Sequence, residues 1–179
     1  MSFRWADAAT CAGRCSAAVI ADGQIDDATP GAFRAFLDAA GGAARRPLVF
    51  LNSSGGKIVA AMELGQEFRA ARATVVVAAP GDYIPQQAVC YSSCVYALMG
   101  AVRRIVPPGG QVGVHRIFAW RGDNRRYAGE GMTSMLRRYT ANMGVSVDLV
   151  ALAERVDPDH MRILTPSEMS GLRLASTSN

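Results

Sequence analysis

The sequence predicts an α/β fold with largely parallel strands, and three observations carry that prediction. Short continuous apolar runs such as "RPLVFLNS" (46–53) read as strands covered on both faces. They alternate along the chain with longer segments whose apolar residues recur at helical spacing. Glycine, proline and capping residues stand between them, where strands hand over to helices.

In chain order, "AAVIADGQI" (17–25) alternates weakly and reads as a strand ending in a turn. "DDATPGAFRAFLDAAGG" opens a helix with Thr29 as N-cap and Pro30 at the first helical position, puts Phe33, Phe36 and Leu37 on one face, and stops at Gly41 and Gly42. The strand at 46–53 runs into "SGG" and then "KIVAAMELGQEFRAAR", where Ile58, Met62, Leu64 and Phe68 fit a helix. "ATVVVAAP" (73–80) is a second buried strand, and a polar loop, "GDYIPQQAVC", leads to a helix starting near Ser92. "RRIVPPGGQVGVHR" reads as short strands broken by a Pro-Pro-Gly-Gly turn. "GEGMTSMLRRYTANMG" and "SVDLVALAERV" are helical by spacing, and "TPSEMSGL" carries a capping box, Thr165 with Glu168 three residues later. No internal repeat, low-complexity tract or domain boundary stands out, so residues 1–179 read as one domain.

Composition narrows the function classes. Half the residues are hydrophobic and 19% are charged, which is globular rather than disordered. The net charge of +4 comes almost entirely from arginine, Lys57 being the only lysine. The only basic cluster, "RGDNRR" (121–126) with Arg137 and Arg138, reads as a solvated loop, so no nucleic-acid partner is expected. No stretch approaches the ~20 apolar residues of a membrane span. The first residues, "MSFRWADAATCAGRCSAAVIADG", lack an apolar core after the basic residue and do not read as a signal peptide. Four cysteines form two C-x3-C pairs, Cys11/Cys15 and Cys90/Cys94. Disulfides in any of three pairings, buried free thiols, and a four-cysteine zinc site are all compatible with that spacing; no metal is expected, because Cys94 falls in an apolar run that reads as core.

Two features point to acyl-transfer chemistry. "LNSSGGKIV" is a strand ending in glycine and feeding a helix, where Gly55 and Gly56 let backbone approach a ligand and N–H groups face a developing oxyanion. "CYSSCVYALMGA" places hydroxyls at the start of a helix, where the following N–H completes such a hole. A serine nucleophile needs a base within reach, and only His115, His160 and Lys57 are available. Each feature alone is more simply an ordinary turn or cap.

Together they resemble the ClpP/crotonase superfamily and, within it, the ClpP-like serine peptidases. "LNSSGGKIVAAMELGQEF" is similar to "INSPGGxxxAGMxIYDTM", "SSCVYALMGA" to "SMGAFLLxAG", "IVPPGGQVGVHR" to "xLPNSxxMIHQ", and "RILTPSEMSGLRL" to "RFLSAPEAxEYGLV". The resemblance runs from about residue 19 to 175 and implies a spiral of ββα units. It implies Ser92 as nucleophile, His115 as base, and the N–H groups of Gly56 and Ser93 as oxyanion hole. The family's aspartate position holds Met161, so Asp159, with Asp157 beside it, is the expected orienting carboxylate. The expected activity is hydrolysis of peptide bonds in a peptide or protein substrate, with no cofactor. Homo-oligomers are common in the superfamily, so one is expected here. Cys94 two residues after the serine resembles the predicted periplasmic ClpP-like subgroup, which with the cysteine pairs leans extracytoplasmic; the lack of a signal peptide leans the other way. The alternatives are a noncatalytic scaffold, favoured by the missing aspartate, a crotonase-type acyl-CoA enzyme, and a serine–lysine pair using Lys57.

Overall fold

Strand β2 (Ala18–Asp22) lies within the weakly alternating strand expected at 17–25; four of its five residues are buried, and Gly23, at φ +108°, turns the chain away from its end. The computed structural model describes residues 1–6, 18–41, 46–79, 88–121 and 124–176. Helix α1 (Thr29–Ala39) follows, starting one residue earlier than expected. Thr29 lies inside it because the Asp26 carboxylate accepts from the Ala28 N–H (3.1 Å) and from the Thr29 hydroxyl (2.8 Å). That hydroxyl is the chief cause holding the Asp26 carboxyl below its usual range.

Strands β3 (Leu48–Asn52), β4 (Thr74–Val76) and β6 (Arg103–Ile105) lie parallel to β2 in a five-stranded sheet ordered β1-β2-β3-β4-β6. Its antiparallel edge, β1 (Ser2–Trp5), is a strand that periodicity did not indicate, since only four residues carry it. A second sheet, β10-β7-β5, sets β5 (Val89–Tyr91) parallel to β7 (Gln111–Val114) and β10 (Arg162–Ile163) antiparallel to it. β5 begins inside the segment expected to be loop. The supposed solvated loop at 121–126 belongs instead to a hairpin, β8 (Phe118–Arg121) with β9 (Asn124–Tyr127); residues 122–123 lie outside the described residues. The mixed α/β class with parallel strands is as expected.

Helices α2 (Ile58–Ala70), α3 (Cys94–Gly100), α4 (Glu130–Asn142), α5 (Asp148–Ala153) and α6 (Pro166–Gly171) complete the elements. Phe33 of α1 meets Phe68 of α2 edge to face at 4.9 Å in a core shared with α3. α2 and α3 cross closely because both carry glycine at the contact: a Cβ on Gly100 would lie 1.9 Å from the Gly65 carbonyl oxygen. All seven residues of α3 are buried, which leaves its final carbonyls to be satisfied inside the protein. Arg69 donates to the Gly100 and Met99 carbonyls (3.0 and 3.3 Å), and Arg104 to those of Met99 and Ala101 (both 3.0 Å). Burial, with Arg69 nearby, lowers the Arg104 pKa. The capping box at α6 forms as expected, Thr165 accepting from the Glu168 N–H and Glu168 from the Thr165 N–H. Among the described residues no helix is long and apolar enough to cross a membrane.

Candidate active site

Three parallel strands end at one place, the end where open α/β sheets hold their ligands. β3 runs out into the serine–glycine turn at 53–56, β5 into Ser92, and β7 into His115. Side chains and main chain stitch these ends together. Asn52 donates to Asp22 (2.8 Å) and accepts from the Val89 N–H (2.9 Å), while Ser53 pairs through its main chain with both Val89 and Tyr91 (2.7 and 3.0 Å). The Tyr91 hydroxyl bonds Gln111 of β7.

The turn after β3 depends on its glycines. Gly55 (φ +103°) and Gly56 (φ +145°) occupy backbone conformations that disfavour side chains. A Cβ on Gly56 would lie 2.0 Å from the Ile25 carbonyl oxygen, and one on Gly55 would lie 2.8 Å from that of Tyr91 and 3.0 Å from the Ser92 Cβ. The turn is thus wedged between the β2–α1 connection and the start of the serine segment. The Ser53 hydroxyl accepts from the Gly55 N–H (3.1 Å), and the Gly55 carbonyl accepts from the Ile25 N–H (2.9 Å). The Gly56 and Ser93 N–H groups find no hydrogen-bond acceptor among the described residues.

The two serines separate clearly. Ser93 is 1% exposed, and its hydroxyl donates to the Gly56 carbonyl at 3.0 Å, tying the glycine turn to the start of α3. Ser92 is half-buried and lies in the left-handed region at φ +57°, which costs a residue with a Cβ on the order of 1–2 kcal/mol. Its N–H donates to the Gly113 carbonyl of β7 (2.9 Å) and its carbonyl accepts from the Val95 N–H (3.2 Å). The helix therefore begins two residues later than expected, with Ser93 at the N-cap position and Ser92 at the apex of the preceding turn. Cys90 and Cys94, on either side of that apex, form a disulfide. Cys11 and Cys15 lie outside the described residues.

His115 follows β7 directly, as Ser92 follows β5, so the parallel pairing of these strands brings the two residues to neighbouring strand ends. One ring nitrogen of His115, Nδ1, lies 2.8 Å from the Arg116 carbonyl oxygen. A carbonyl only accepts, so Nδ1 carries a proton, and in the neutral ring it is Nε2 that presents the lone pair. The Arg116 main chain is itself anchored, its N–H donating to the Val156 carbonyl (2.9 Å). Its guanidinium pairs with Glu154 (3.3 Å) and lies 4.4 Å from the centre of the Tyr127 ring.

Beyond the end of the β10–β7 pairing, Met161 stands opposite His115, and its side chain fills the space over Gly113, within 2.8 Å of where a Cβ there would sit. Asp159, two residues earlier, is exposed, and its N–H donates to the Asp157 carboxylate (2.8 Å). His160 lies 3.9 Å from Asp157 in an exposed pair. Lys57 pairs with Asp27 at the surface, where both side chains are more than half exposed. No group of three or more metal-ligating side chains occurs among the described residues.

The sequence carried no signal for several of these partners. Ser53, Asn52 and the Arg116 carbonyl act through the main chain or on it, and a main-chain acceptor leaves no trace in residue identity. The disulfide was one of the open readings of the C-x3-C spacing; the connectivity that forms lies within the second pair.

No protein-family profile and no curated protein matches the sequence. Solved structures do. The membrane-bound stomatin-specific protease 1510-N matches at 20% identity with a TM-score of 0.64, over 90% of this chain and 76% of that one. A second structure of that protease, in complex with a substrate peptide, matches at the same identity and TM-score over 90% of this chain and 72% of that one. ClpP1 from Listeria monocytogenes matches at 14% identity, again with a TM-score of 0.64, over 90% and 91%. Across nine-tenths of its length, this chain has the fold of the ClpP-like proteases.

Proposed function

We propose that the protein is a serine hydrolase of ClpP-like type that cleaves peptide bonds, with Ser92 as nucleophile and His115 as general base. The observation that carries the reading is the division of labour between the serines: Ser93 is buried and engaged with Gly56, while Ser92 stands at the apex of a left-handed turn beside the glycine turn and the His115 strand. In this reading the Ser92 hydroxyl attacks the scissile carbonyl and His115 Nε2 accepts its proton. The N–H groups of Gly56 and Ser93 hold the oxyanion. The imidazolium then protonates the leaving amine; water, deprotonated by the same imidazole, attacks the acyl carbon, and the imidazolium returns that proton to the departing Ser92 oxygen.

The orienting role expected of Asp159 is assigned here to the Arg116 carbonyl, which already holds Nδ1. A neutral carbonyl selects the tautomer but stabilises the imidazolium less than a carboxylate, so a slow enzyme is expected. Lys57 is not needed; its pairing with Asp27 favours a surface role. A homo-oligomer belongs to the same proposal, and the Cys90–Cys94 bridge supports an oxidising, extracytoplasmic setting.

A noncatalytic scaffold is the second reading, and Met161 opposite His115 favours it. Incubation with a mixture of fluorogenic peptides, read by mass spectrometry, separates the two. Cleavage by wild type that disappears in Ser92→Ala supports the enzyme; cleavage retained in Ser92→Ala, or none by folded protein at any pH tried, supports the scaffold.

A further inference from the structure

The Cys90–Cys94 disulfide encloses the candidate nucleophile. Its two halves belong to different elements, Cys90 being the middle residue of β5 and Cys94 the first residue of α3, and Ser92 is the central residue of the closed stretch. Ser92 is held at φ +57°, a region that residues with a Cβ leave when nothing keeps them there. The hydrogen bonds from the Ser92 N–H to Gly113 and from the Val95 N–H to the Ser92 carbonyl fix where the turn lies. The disulfide fixes how the chain passes between its two ends. A bridge across so few residues constrains the unfolded chain least, so its main effect is local. Both cysteines are fully buried, out of reach of a reductant in the folded protein.

We propose that the Cys90–Cys94 disulfide is a positioning clamp: it holds Ser92 in the left-handed turn from which the hydroxyl reacts. The clamp is permanent and not a redox switch. This inference rests on the reading of Ser92 as nucleophile. Without the bridge, the turn shares its population with the ordinary right-handed conformation, and the preference for that conformation corresponds to about a 5- to 30-fold drop in reactive molecules.

The test compares second-order rate constants for labelling of Ser92 by a fluorophosphonate in wild type, Cys90→Ala, Cys94→Ala and the double variant. Cys90→Ser/Cys94→Ser serves as a closer match in size should the alanine pair fail to fold. Circular dichroism and a melting curve establish that each protein is folded at the assay temperature. The clamp predicts that labelling falls about 5- to 30-fold and that either single substitution costs as much as both together, since either one breaks the bridge. Labelling of the folded double variant at the wild-type rate overturns the inference. So do single losses that add in the double variant, which is the signature of lost packing. If the wild type itself takes no label at Ser92, the serine reading fails, and this inference falls with it.

Discussion

Replacing Ser93 with alanine tests whether the tie between the glycine turn and α3 is as described. The Ser93 hydroxyl is 1% exposed and donates to the Gly56 carbonyl at 3.0 Å, the only acceptor it has among the described residues. Gly56 is exposed, so water can take up its carbonyl, and removing the hydroxyl costs about the net worth of one hydrogen bond, about 0.5–1.5 kcal/mol. For a chain of this size each kcal/mol moves the melting temperature by about 2–4 °C, so Ser93→Ala should melt about 1–6 °C below wild type. The loosened turn also carries the Gly56 N–H, and losing a preorganised oxyanion donor outright costs about 10²–10³ in rate. Fluorophosphonate labelling should therefore slow by a factor below that ceiling while the adduct stays on Ser92. Thermal denaturation followed by circular dichroism and a labelling time course read the two effects. A variant that melts and labels like wild type would refute the tie. A wild-type adduct mapped to Ser93 would refute the assignment of the serines.

Other substitutions probe the remaining links. Gly56→Ala would place a Cβ 2.0 Å from the Ile25 carbonyl oxygen, so the turn must move and labelling should be lost even where the protein still folds; Gly131→Ala, on α4 with nothing within 4 Å, should instead stabilise by about 0.5–1 kcal/mol in a denaturant titration. Met161→Asp puts a carboxylate opposite His115. Since an orienting carboxylate is worth up to ~10⁴ in a complete triad, labelling should accelerate by about tenfold or more. Thr165→Ala removes the α6 cap at a cost of about 1 kcal/mol. Bonds from Thr165, with Arg162 adding to them, hold the Glu168 carboxyl below its usual value, and Thr29 does the same for Asp26. Because the folded state lowers both pKa values, their contribution is complete above the ordinary carboxylate range and is lost as pH falls through and below it. Melting temperature should decline over that acid range, and the decline should be shallower in Thr165→Ala.

Much of the architecture was legible because it rests on burial. Parallel strands covered on both faces need continuous apolar runs, and β3 and β4 announce themselves that way, while β2 shows as a weak alternation ending in a turn. The helices show because α1, α2 and α4 each bury one face at helical spacing. What went unread is short or polar. β1 and β5 have four and three residues, too few for a period, and the β8–β9 hairpin pairs arginine-rich strands that composition alone assigns to solvent. Among the candidate site residues, Gly56, Ser92, Ser93 and His115 could be picked out because glycine turns, hydroxyls and a rare histidine carry chemistry in their identity. The partner of His115 could not. Sequence offers Asp159, the carboxylate close to the family's aspartate position, whereas a main-chain carbonyl such as that of Arg116 at Nδ1, which any residue there would supply, leaves no mark in residue identity.

Activation of Ser92 as a nucleophile is tested by locating a fluorophosphonate adduct by mass spectrometry in wild type, Ser92→Ala and His115→Ala. A single adduct on the peptide containing Ser92 is expected, with none in Ser92→Ala and labelling of His115→Ala slowed by about 10²-fold or more. No adduct on folded wild-type protein, or one that forms equally fast without His115, would contradict it.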